Sequence, residues 1–265
     1  MGRRPLDAEL VRRGLAGSRA EAQEAVRSGQ VMVRGAQATK STTLVGADEA
    51  LALRKPAHPF VSRGGAKLAA ALDAFGVDPS GRDCLDAGAS TGGFTDCLLQ
   101  RGARHVVSLD VGYGQLAWEL RTDPRVSVLD RTNVRELVAA TLPYRPSLVT
   151  ADLTFISLRS VIGSLVAAAD PRAVLVLLVK PQFEAAHDDV GPGGVVVDAA
   201  VWRAAIEDVA AALAAAGAPS AALISSPITG PAGNVEFLLH ARVGGGTAEV
   251  DVDGAIATAR ELVGP

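Results

Sequence analysis

The stretch that decides the fold is Cys84–Ala103, which reads CLDAGASTGGFTDCLLQRGA. A short apolar run leads into one carboxylate, Asp86, and glycines follow at positions 88, 92 and 93. This pattern predicts a buried strand, a tight glycine-rich turn and a helix that begins near Gly93. Because ligands of open α/β sheets bind beyond the carboxyl ends of the strands, the turn is a candidate binding loop.

The composition of this loop argues against a dinucleotide site. Its Gly-x-x-x-Gly-Gly spacing departs from the G-x-G-x-x-G fingerprint, and an acid directly before the first glycine would repel a phosphate. Asp86 suits instead a ligand that carries a cationic group together with amino and hydroxyl donors. S-adenosylmethionine has all three, so we take it as the candidate cofactor.

Acids also close the next two predicted strands. Asp110 follows a strand where it is well placed to bind ribose hydroxyls, and Asp130 is suited to an adenine amino group. The alternative for each acid is a helix N-cap, but acids after three successive strands favour a cofactor site. The predicted cofactor-binding residues are Asp86, Gly88, Ser90, Thr91, Gly92, Gly93, Phe94, Asp110, Val111 and Asp130.

Strand and helix patterns alternate from about residue 67 towards the end of the chain, with helices expected at 114–121 and 133–141 among others. Such alternation predicts an α/β fold with a mostly parallel sheet that is covered by helices on both faces. The prolines and paired glycines of RKPAHPFVSRGGAK mark a domain edge. We therefore expect a small domain over 1–53, a linker over 54–61 and a large domain over 62–265.

Composition limits the class of protein further. Apolar residues make up 48% of the 265 residues, but no apolar run approaches the ~20 residues that a membrane span requires. The N-terminal stretch lacks the apolar core of a secretory signal. Cys84 and Cys97 provide neither a disulfide framework nor a metal-binding spacing, so we expect a cytoplasmic protein without a metal site.

Charge is distributed unevenly along the chain. Residues 1–67 contain 12 Lys and Arg against six Asp and Glu, whereas residues 68–265 contain 14 against 23. A basic head on an acidic body favours contact between the head and a polyanion such as a nucleic acid. The alternative is a solvated basic surface without a ligand.

The head itself predicts two short helices within residues 5–29, followed by strands. Ser18 and Glu21 form a capping box for the second helix, and Gly29 ends it. The run LDAELVRRGLAGSRAEAQEAVRSGQVMVRG resembles the S4 RNA-binding domain. The resemblance implies RNA contacts from Arg12, Arg13, Arg19, Arg27 and Arg34, and by their position also from Arg4 and Arg63.

Four residues of the body stand out as candidates for catalysis. Only four of the 26 basic residues are lysines, and Lys180 ends a wholly apolar strand, where an amine would lie at a pocket edge. Asp152 ends the preceding strand, Glu236 lies in an apolar strand, and Lys67 precedes the glycine loop. The alternatives are a strand-end lysine that reaches solvent for Lys180 and a surface position for Glu236.

Lys67, Asp152, Lys180 and Glu236 together resemble the Lys-Asp-Lys-Glu tetrad of ribose 2′-O-methyltransferases. The resemblance implies that Lys180 acts as general base, that Asp152 orients it, and that Lys67 and Glu236 align the ribose. Asp152 is followed by Leu-Thr-Phe, which argues against methylation of a base amine, where Pro-Pro and an aromatic residue are typical.

The whole chain resembles the TlyA family of S4-domain methyltransferases, historically named haemolysins. The stretches that carry the resemblance are FVSRGGAKLAAAL, the quoted loop, LDVGYGQL, DLTFISL, LVKPQFE and GGVVVD. It implies a Rossmann-like class I methyltransferase domain with a seven-stranded sheet. It also implies 2′-O-methylation of cytidine in 16S or 23S ribosomal RNA, presented in ribosomal subunits.

Three other functions were weighed against this interpretation. A haemolysin or membrane-active protein lacks support from any apolar span or strongly amphipathic basic helix in the body. A pseudouridine synthase also carries an S4 head, but it needs an Arg-Leu-Asp context on a β-rich fold. A non-catalytic RNA-binding protein is disfavoured because all four residues of the tetrad are present.

Overall fold

The computed structural model describes residues 3–27, 29–53 and 59–264. Most of the predicted linker, residues 54–58, lies outside the described residues. The chain divides into a small unit, which holds the residues up to Pro59 with the segment 117–119, and a large unit, which holds the remainder. The finer domain boundaries at 53 and 62 stay a prediction.

The small unit contains the two predicted helices and a set of short strands. Leu6, Leu10, Ala22 and Val31 are among the buried side chains of its core. Backbone pairing forms a three-stranded antiparallel sheet and, in addition, a two-stranded one that the sequence did not predict. The elements are β1 Arg4–Pro5, α1 Leu6–Arg12, α2 Arg19–Arg27, β2 Val31–Val33, β3 Ala36–Gln37, β4 Leu44–Val45 and β5 Leu51–Leu53.

The predicted capping box at α2 forms with one change. Ser18 Oγ accepts a hydrogen bond from the backbone N–H of Glu21 at 3.2 Å, as expected. The Glu21 carboxylate accepts the N–H of Gly17 at 2.5 Å, one residue before the position that a capping box would use. Both bonds satisfy donors at the start of the helix.

The large unit is built on a seven-stranded sheet, as the resemblance implied. Its strand order is β11-β12-β10-β9-β6-β7-β8, and every neighbouring pair is parallel except those that involve β12. The fold class is thus confirmed. The strands are β6 Asp83–Ala87, β7 His105–Leu109, β8 Val126–Leu129, β9 Leu148–Ala151, β10 Val174–Val179, β11 Ser220–Ser225 and β12 Phe237–Arg242.

Two segments are less helical than the sequence predicted, but along most of the chain the strands alternate with helices. The helices are α3 Gly64–Phe75, α4 Gly93–Gln100, α5 Trp118–Arg121, α6 Ile162–Ala168, α7 Pro181–Glu184, α8 Ala199–Ala215 and α9 Val252–Val263. The helix expected at 114–121 is the single turn α5, and 133–141 forms two 3₁₀ turns. Each of these segments is short and is followed by a proline, at Pro124 and Pro143, which cannot continue a helix. A helix there would form few backbone hydrogen bonds and would therefore be only weakly stable.

The sheet topology brings four chain positions to one edge. All six residues of β10 are buried, which explains its continuous apolar run. β6, β9 and β10 are parallel and therefore end at the same edge. β12 runs in the opposite direction with Phe237 paired to Val179, so its start lies beside the end of β10. Residues 86–88, 152, 180 and 236 converge in this way.

Candidate active site

A cleft of about 510 Å³ opens at this edge of the sheet. Its walls come from the start of α3, the glycine loop, the segments after β9 and β10, and the loops before α8 and β12. All four residues of the predicted tetrad line it. The predicted residues Arg63, Gly88, Ser90, Thr91, Gly93 and Phe94 line it as well.

Lys180 and Asp152 form the first ion pair of the cleft. The Lys180 Nζ lies 2.6 Å from Asp152 Oδ1 and donates a hydrogen bond to Thr154 Oγ1 at 3.2 Å. The two side chains are 10% and 23% exposed, so the pair borders the cleft without being immersed in solvent. The arrangement fixes the amine at the end of β10, and the sequence prediction that Asp152 orients Lys180 is consistent with this contact.

Lys67 and Glu236 form the second ion pair, which is buried more deeply. Lys67 lies on the first turn of α3 and donates to Glu236 Oε2, and the two side chains are 7% and 1% exposed. Glu236 directly precedes β12 rather than lying within it. A charge that is buried so deeply requires a partner of opposite charge. Because β12 is antiparallel to β10, Glu236 lies at the edge of the sheet where Lys67 can pair with it. We call these two contacts the cleft ion pairs.

The glycine loop is shaped first by the protein's own packing. Gly88 has a φ of +83°, and a Cβ there would collide with the carbonyl oxygen of Asp152. A Cβ on Gly93 would collide with Ser62 Oγ and would crowd the backbone at Gly65. The glycines therefore let β9 and α3 approach the loop closely, which brings Asp152 and Lys67 to the cleft.

Asp86 differs from the sequence prediction. Its side chain is completely buried and lines no part of the cleft, because Thr95 Oγ1 and Thr150 Oγ1 donate to its two oxygens at 2.7 and 3.2 Å. Burial raises the pKa of this carboxyl to about 7. In this structure Asp86 is an internal link between β6, β9 and the start of α4, and its predicted contact with the cofactor stays a prediction.

Asp110 and Asp130 end β7 and β8 as predicted, although neither lines the cleft. Asp110 accepts the backbone N–H groups of Ser90 and Gly112 at 2.8 and 2.7 Å, so it also holds the glycine loop. Asp130 accepts from Arg121 at 2.7 Å. Gly92 does not line the cleft either, and Val111 is 68% exposed.

Several residues of the cleft were not predicted from sequence. They are Thr154, Phe155, Gln182, Phe183 and Asn234 among others. Phe155 has a φ of +63° and is 89% exposed, which is an unusual conformation and environment for an aromatic residue. Its ring centroid lies 5.4 Å from that of Phe183. Their positions in DLTFISL and KPQFE, directly after Asp152 and Lys180, were the available signal.

Four of the arginines predicted to bind RNA are held by three acids of the small unit. Arg19 pairs with Asp7 at 3.0 Å, Arg12 and Arg13 with Glu9 at 2.6 and 2.8 Å, and Arg34 with Glu49 at 2.7 Å. The two guanidinium groups lower the pKa of Glu9 to about 2. The side chains of Arg12, Arg19 and Arg34 are 46%, 62% and 66% exposed.

Arg13 is the exception within this set. Its guanidinium also donates to the carbonyl oxygens of Gly46, Ala47 and Glu49 at 3.1, 2.9 and 2.7 Å. These bonds tie α1 to the turn between β4 and β5. Arg13 therefore holds the fold of the small unit, whereas Arg4 and Arg27 are exposed.

The part of the chain that the structure describes contains neither a cluster of metal-binding side chains nor a membrane-spanning helix. No group of three or more His, Cys, Asp or Glu side chains could hold a metal ion there. Within the same ranges, no helix combines the length and apolar character needed to cross a lipid bilayer.

Comparison with known families agrees with this architecture. Residues 60–243 match the FtsJ-like methyltransferase family, and residues 4–49 match the S4 domain. The matched ranges correspond to the large and small units.

Individual relatives cover nearly the whole chain. A Mycobacterium tuberculosis protein named 16S/23S rRNA (cytidine-2′-O)-methyltransferase TlyA is 51% identical over 89% of this chain and 89% of its own length. Hemolysin A of Brachyspira hyodysenteriae is 34% identical over 89% of this chain and 98% of its own. The solved structure of a candidate hemolysin from Streptococcus thermophilus has a TM-score of 0.76 and 33% identity, and covers 99% of this chain and 97% of its own.

Proposed function

The chain belongs to the TlyA family of FtsJ-like methyltransferases, and we propose that it methylates the ribose 2′-hydroxyl of cytidines in ribosomal RNA. The donor in this proposal is S-adenosylmethionine, and the substrate is RNA within ribosomal subunits. One observation carries the proposal: two lysine–carboxylate pairs face a single cleft beside a glycine loop.

The cleft ion pairs suit the methylation of an alcohol. A 2′-hydroxyl is a weak acid, so its proton must leave as the oxygen forms a bond to the methyl carbon. In the reactive form the Lys180 ammonium has first released a proton to solvent; its Nζ then accepts the hydroxyl proton, and Asp152 at 2.6 Å holds the amine in place and stabilises the ammonium that is restored. Lys67 and Glu236, as a second pair, keep the cleft near neutrality and align the ribose.

The chain can hold the cofactor with backbone from the glycine loop. Gly88, Ser90, Thr91 and Gly93 line the cleft next to the tetrad, and Asp110 fixes the loop through the Ser90 N–H. S-adenosylmethionine supplies a methyl group on a sulfonium centre, which needs no metal for its transfer. Phe155 offers an exposed aromatic ring among the residues of the cleft, suited to contact with a base.

The test is methyl transfer to ribosomal subunits by the wild type and by Lys180→Ala. We expect the change to lower the rate of transfer by about 1,000-fold or more, because the proton acceptor is lost while the cofactor loop is untouched. Isothermal titration should show cofactor binding within about threefold of the wild type. Lys40→Ala is the matched control, since Lys40 is an exposed lysine of the small unit.

Mass mapping of the RNA identifies the product. Ribose-methylated cytidine in the wild-type reaction, and none with Lys180→Ala, is the expected result. Methyl groups on bases, or full activity of Lys180→Ala, would contradict the proposal. The haemolysin name of some relatives is checked in parallel: red-cell lysis that persists unchanged in Lys180→Ala would reveal an activity independent of the cleft.

A further inference from the structure

We propose that Glu184 is a positioning residue for the Lys180–Asp152 pair. It connects the chain segment that follows Asp152 to the segment that follows Lys180. This inference rests on the proposed function, because it concerns the geometry of the same site. Glu184 ends α7, four residues after Lys180, and it does not line the cleft. Any effect on the reaction must therefore pass through the residues that it holds.

The Glu184 carboxylate is bound almost completely by the segment after β9. The residue is 5% exposed, and its oxygens accept hydrogen bonds from Ser157 Oγ at 2.5 Å and from the backbone N–H of Leu158 at 2.7 Å. Arg159 Nε lies 3.3 Å from the same carboxylate. Three donors from consecutive residues thus converge on one buried acid.

The segment held in this way carries Asp152 and requires an anchor. It starts at Asp152, whose N–H donates to Ala87 O at 3.0 Å, and it passes through Phe155. A φ of +63° is a strained backbone conformation for a residue with a side chain. Surrounding contacts must hold such a conformation, and the bonds from Ser157 and Leu158 to Glu184 follow directly after it.

The other side of the connection is the single turn of α7. Pro181 occupies its first position, and the N–H groups of Phe183 and Ala185 donate to Lys180 O and Pro181 O at 2.9 Å each. This turn links Glu184 rigidly to the backbone of Lys180. Since Lys180 Nζ in turn contacts Asp152 and Thr154, the contacts form a closed ring.

Burial raises the pKa of Glu184, so ionisation at this position carries a cost. A glutamine would fill the same space without that cost, yet it would lose the ionic contact with Arg159. The acid is therefore placed to hold three donors at once, a task that only a carboxylate performs with both oxygens.

The experiment compares Glu184→Ala, Glu184→Gln and Asp208→Ala in the full-length protein. Asp208 accepts from Arg159 Nη1 at 2.9 Å, so its removal takes away another partner of Arg159 and leaves the three contacts of Glu184 in place. For Glu184→Ala we expect kcat to fall by about 10- to 100-fold, since small displacements of reacting groups have effects of this size. KM for RNA and the cofactor Kd should stay within about threefold.

Glu184→Gln should recover most of the lost kcat, because its amide can accept from Leu158 N–H and donate to Ser157 Oγ. Asp208→Ala should match the wild type. The kcat of each variant is calculated per cofactor-binding site, with the concentration of sites measured by isothermal titration. Unfolded molecules, which bind no cofactor, then do not lower kcat. The proposal is overturned if Glu184→Ala keeps kcat within twofold, if glutamine recovers nothing, or if Asp208→Ala is equally impaired.

Amide hydrogen exchange separates this inference from the proposed function. In Glu184→Ala, exchange across residues 153–160 should become faster than in the wild type, and in Glu184→Gln it should lie between the two, while exchange in β10 is unchanged. This measurement needs no substrate, so it still tests the connection if ribosomal RNA is not methylated. Unchanged exchange across 153–160 in both variants would overturn the inference even if the enzyme proves to be a cytidine methyltransferase.

Discussion

The small unit and the cleft both pair cations with buried carboxylates, but they expose the cations to different degrees. In the small unit, Asp7 and Glu9 are buried, while Arg19 and Arg12 remain 62% and 46% exposed. In the cleft, Lys67 and Lys180 are only 7% and 10% exposed. The same type of ion pair therefore stands in two dielectric environments.

This difference in exposure is consistent with the two roles proposed for these groups, contact with RNA phosphates and transfer of a proton. An exposed guanidinium is screened by water and salt, so a phosphate can compete for it at little cost. A buried amine beside a carboxylate is held in one geometry by that contact. Exposed arginines suit RNA backbone contacts, and buried lysines suit catalysis.

The largest effect should come from breaking the buried pair of Lys67 and Glu236. Lys67→Met leaves a carboxylate that is 1% exposed without its cation, so we expect a loss of about 3–5 kcal/mol in the free energy of unfolding. Arg19→Met in the small unit should cost about 1 kcal/mol or less, because Gln23 still donates to Asp7 at 2.8 Å. Denaturant unfolding of the full-length variants measures both.

The double variant Lys67→Met, Glu236→Gln provides the control. Removing both charges should restore most of the stability lost in Lys67→Met, while methyl transfer stays abolished. Equal losses for Lys67→Met and Arg19→Met would contradict the distinction between the two environments.

A smaller effect is expected in RNA binding when exposed arginines are removed. In the triple variant, Arg12, Arg19 and Arg34 are all replaced by glutamine. The slope of log K for RNA binding against log salt concentration should become less steep by up to about three. The small unit should still fold in this variant, because Arg13, Gln23 and Arg3 still contact Glu9, Asp7 and Glu49, respectively. Fluorescence anisotropy over a salt series gives the slope.

Arg172→Gln, an exposed arginine of the large unit, is the matched control and should leave the slope within about one. If the triple variant binds with the wild-type slope, then these arginines are not the anchor on RNA.

A gradual loss of stability with rising pH is expected from Asp86. Its pKa of about 7 lies above the usual 3.8, so between these values the folded protein holds a proton that the unfolded chain has released. Stability therefore falls as pH rises from about 4 to 7, by at most about 1.4 kcal/mol per unit. Asp86→Asn should lose this part of the slope in unfolding experiments. Asp188→Asn, at an exposed carboxylate, should keep it, and identical slopes for both would argue against a raised pKa.

Much of the fold followed from sequence because its signals are local. The apolar run of β10, the glycine loop and the alternation of strands and helices are visible in short windows. α9 was missed, since its alanine-rich and charged pattern follows the last predicted strand without a clear boundary. The helices expected at 114–121 and 133–141 were overestimated, because periodicity does not report whether packing stabilises a short helix.

Site residues were easiest to select from sequence where the residue type is rare in this chain. They were hardest to select where the direction of a side chain determines whether it reaches the cleft. Scarce lysines and strand-end acids singled out four residues that the fold brings to one cleft, and their catalytic roles stay a prediction. The complete burial of Asp86 was not predicted, because both faces of a central strand are buried and the sequence cannot tell towards which a side chain points. Glu184 and Asn234 act through partners distant in sequence, such as Leu158 and Val196, which only the folded chain brings together.

The reversed direction of β12 has a consequence for biosynthesis. The glycine loop and both lysines are translated well before Glu236, which is the last residue of the tetrad in the sequence. A nascent chain cannot complete its chemistry until that late strand has emerged and inserted between β10 and β11. Premature stop codons upstream of position 236 should therefore yield products that are inactive regardless of how much cofactor loop they retain.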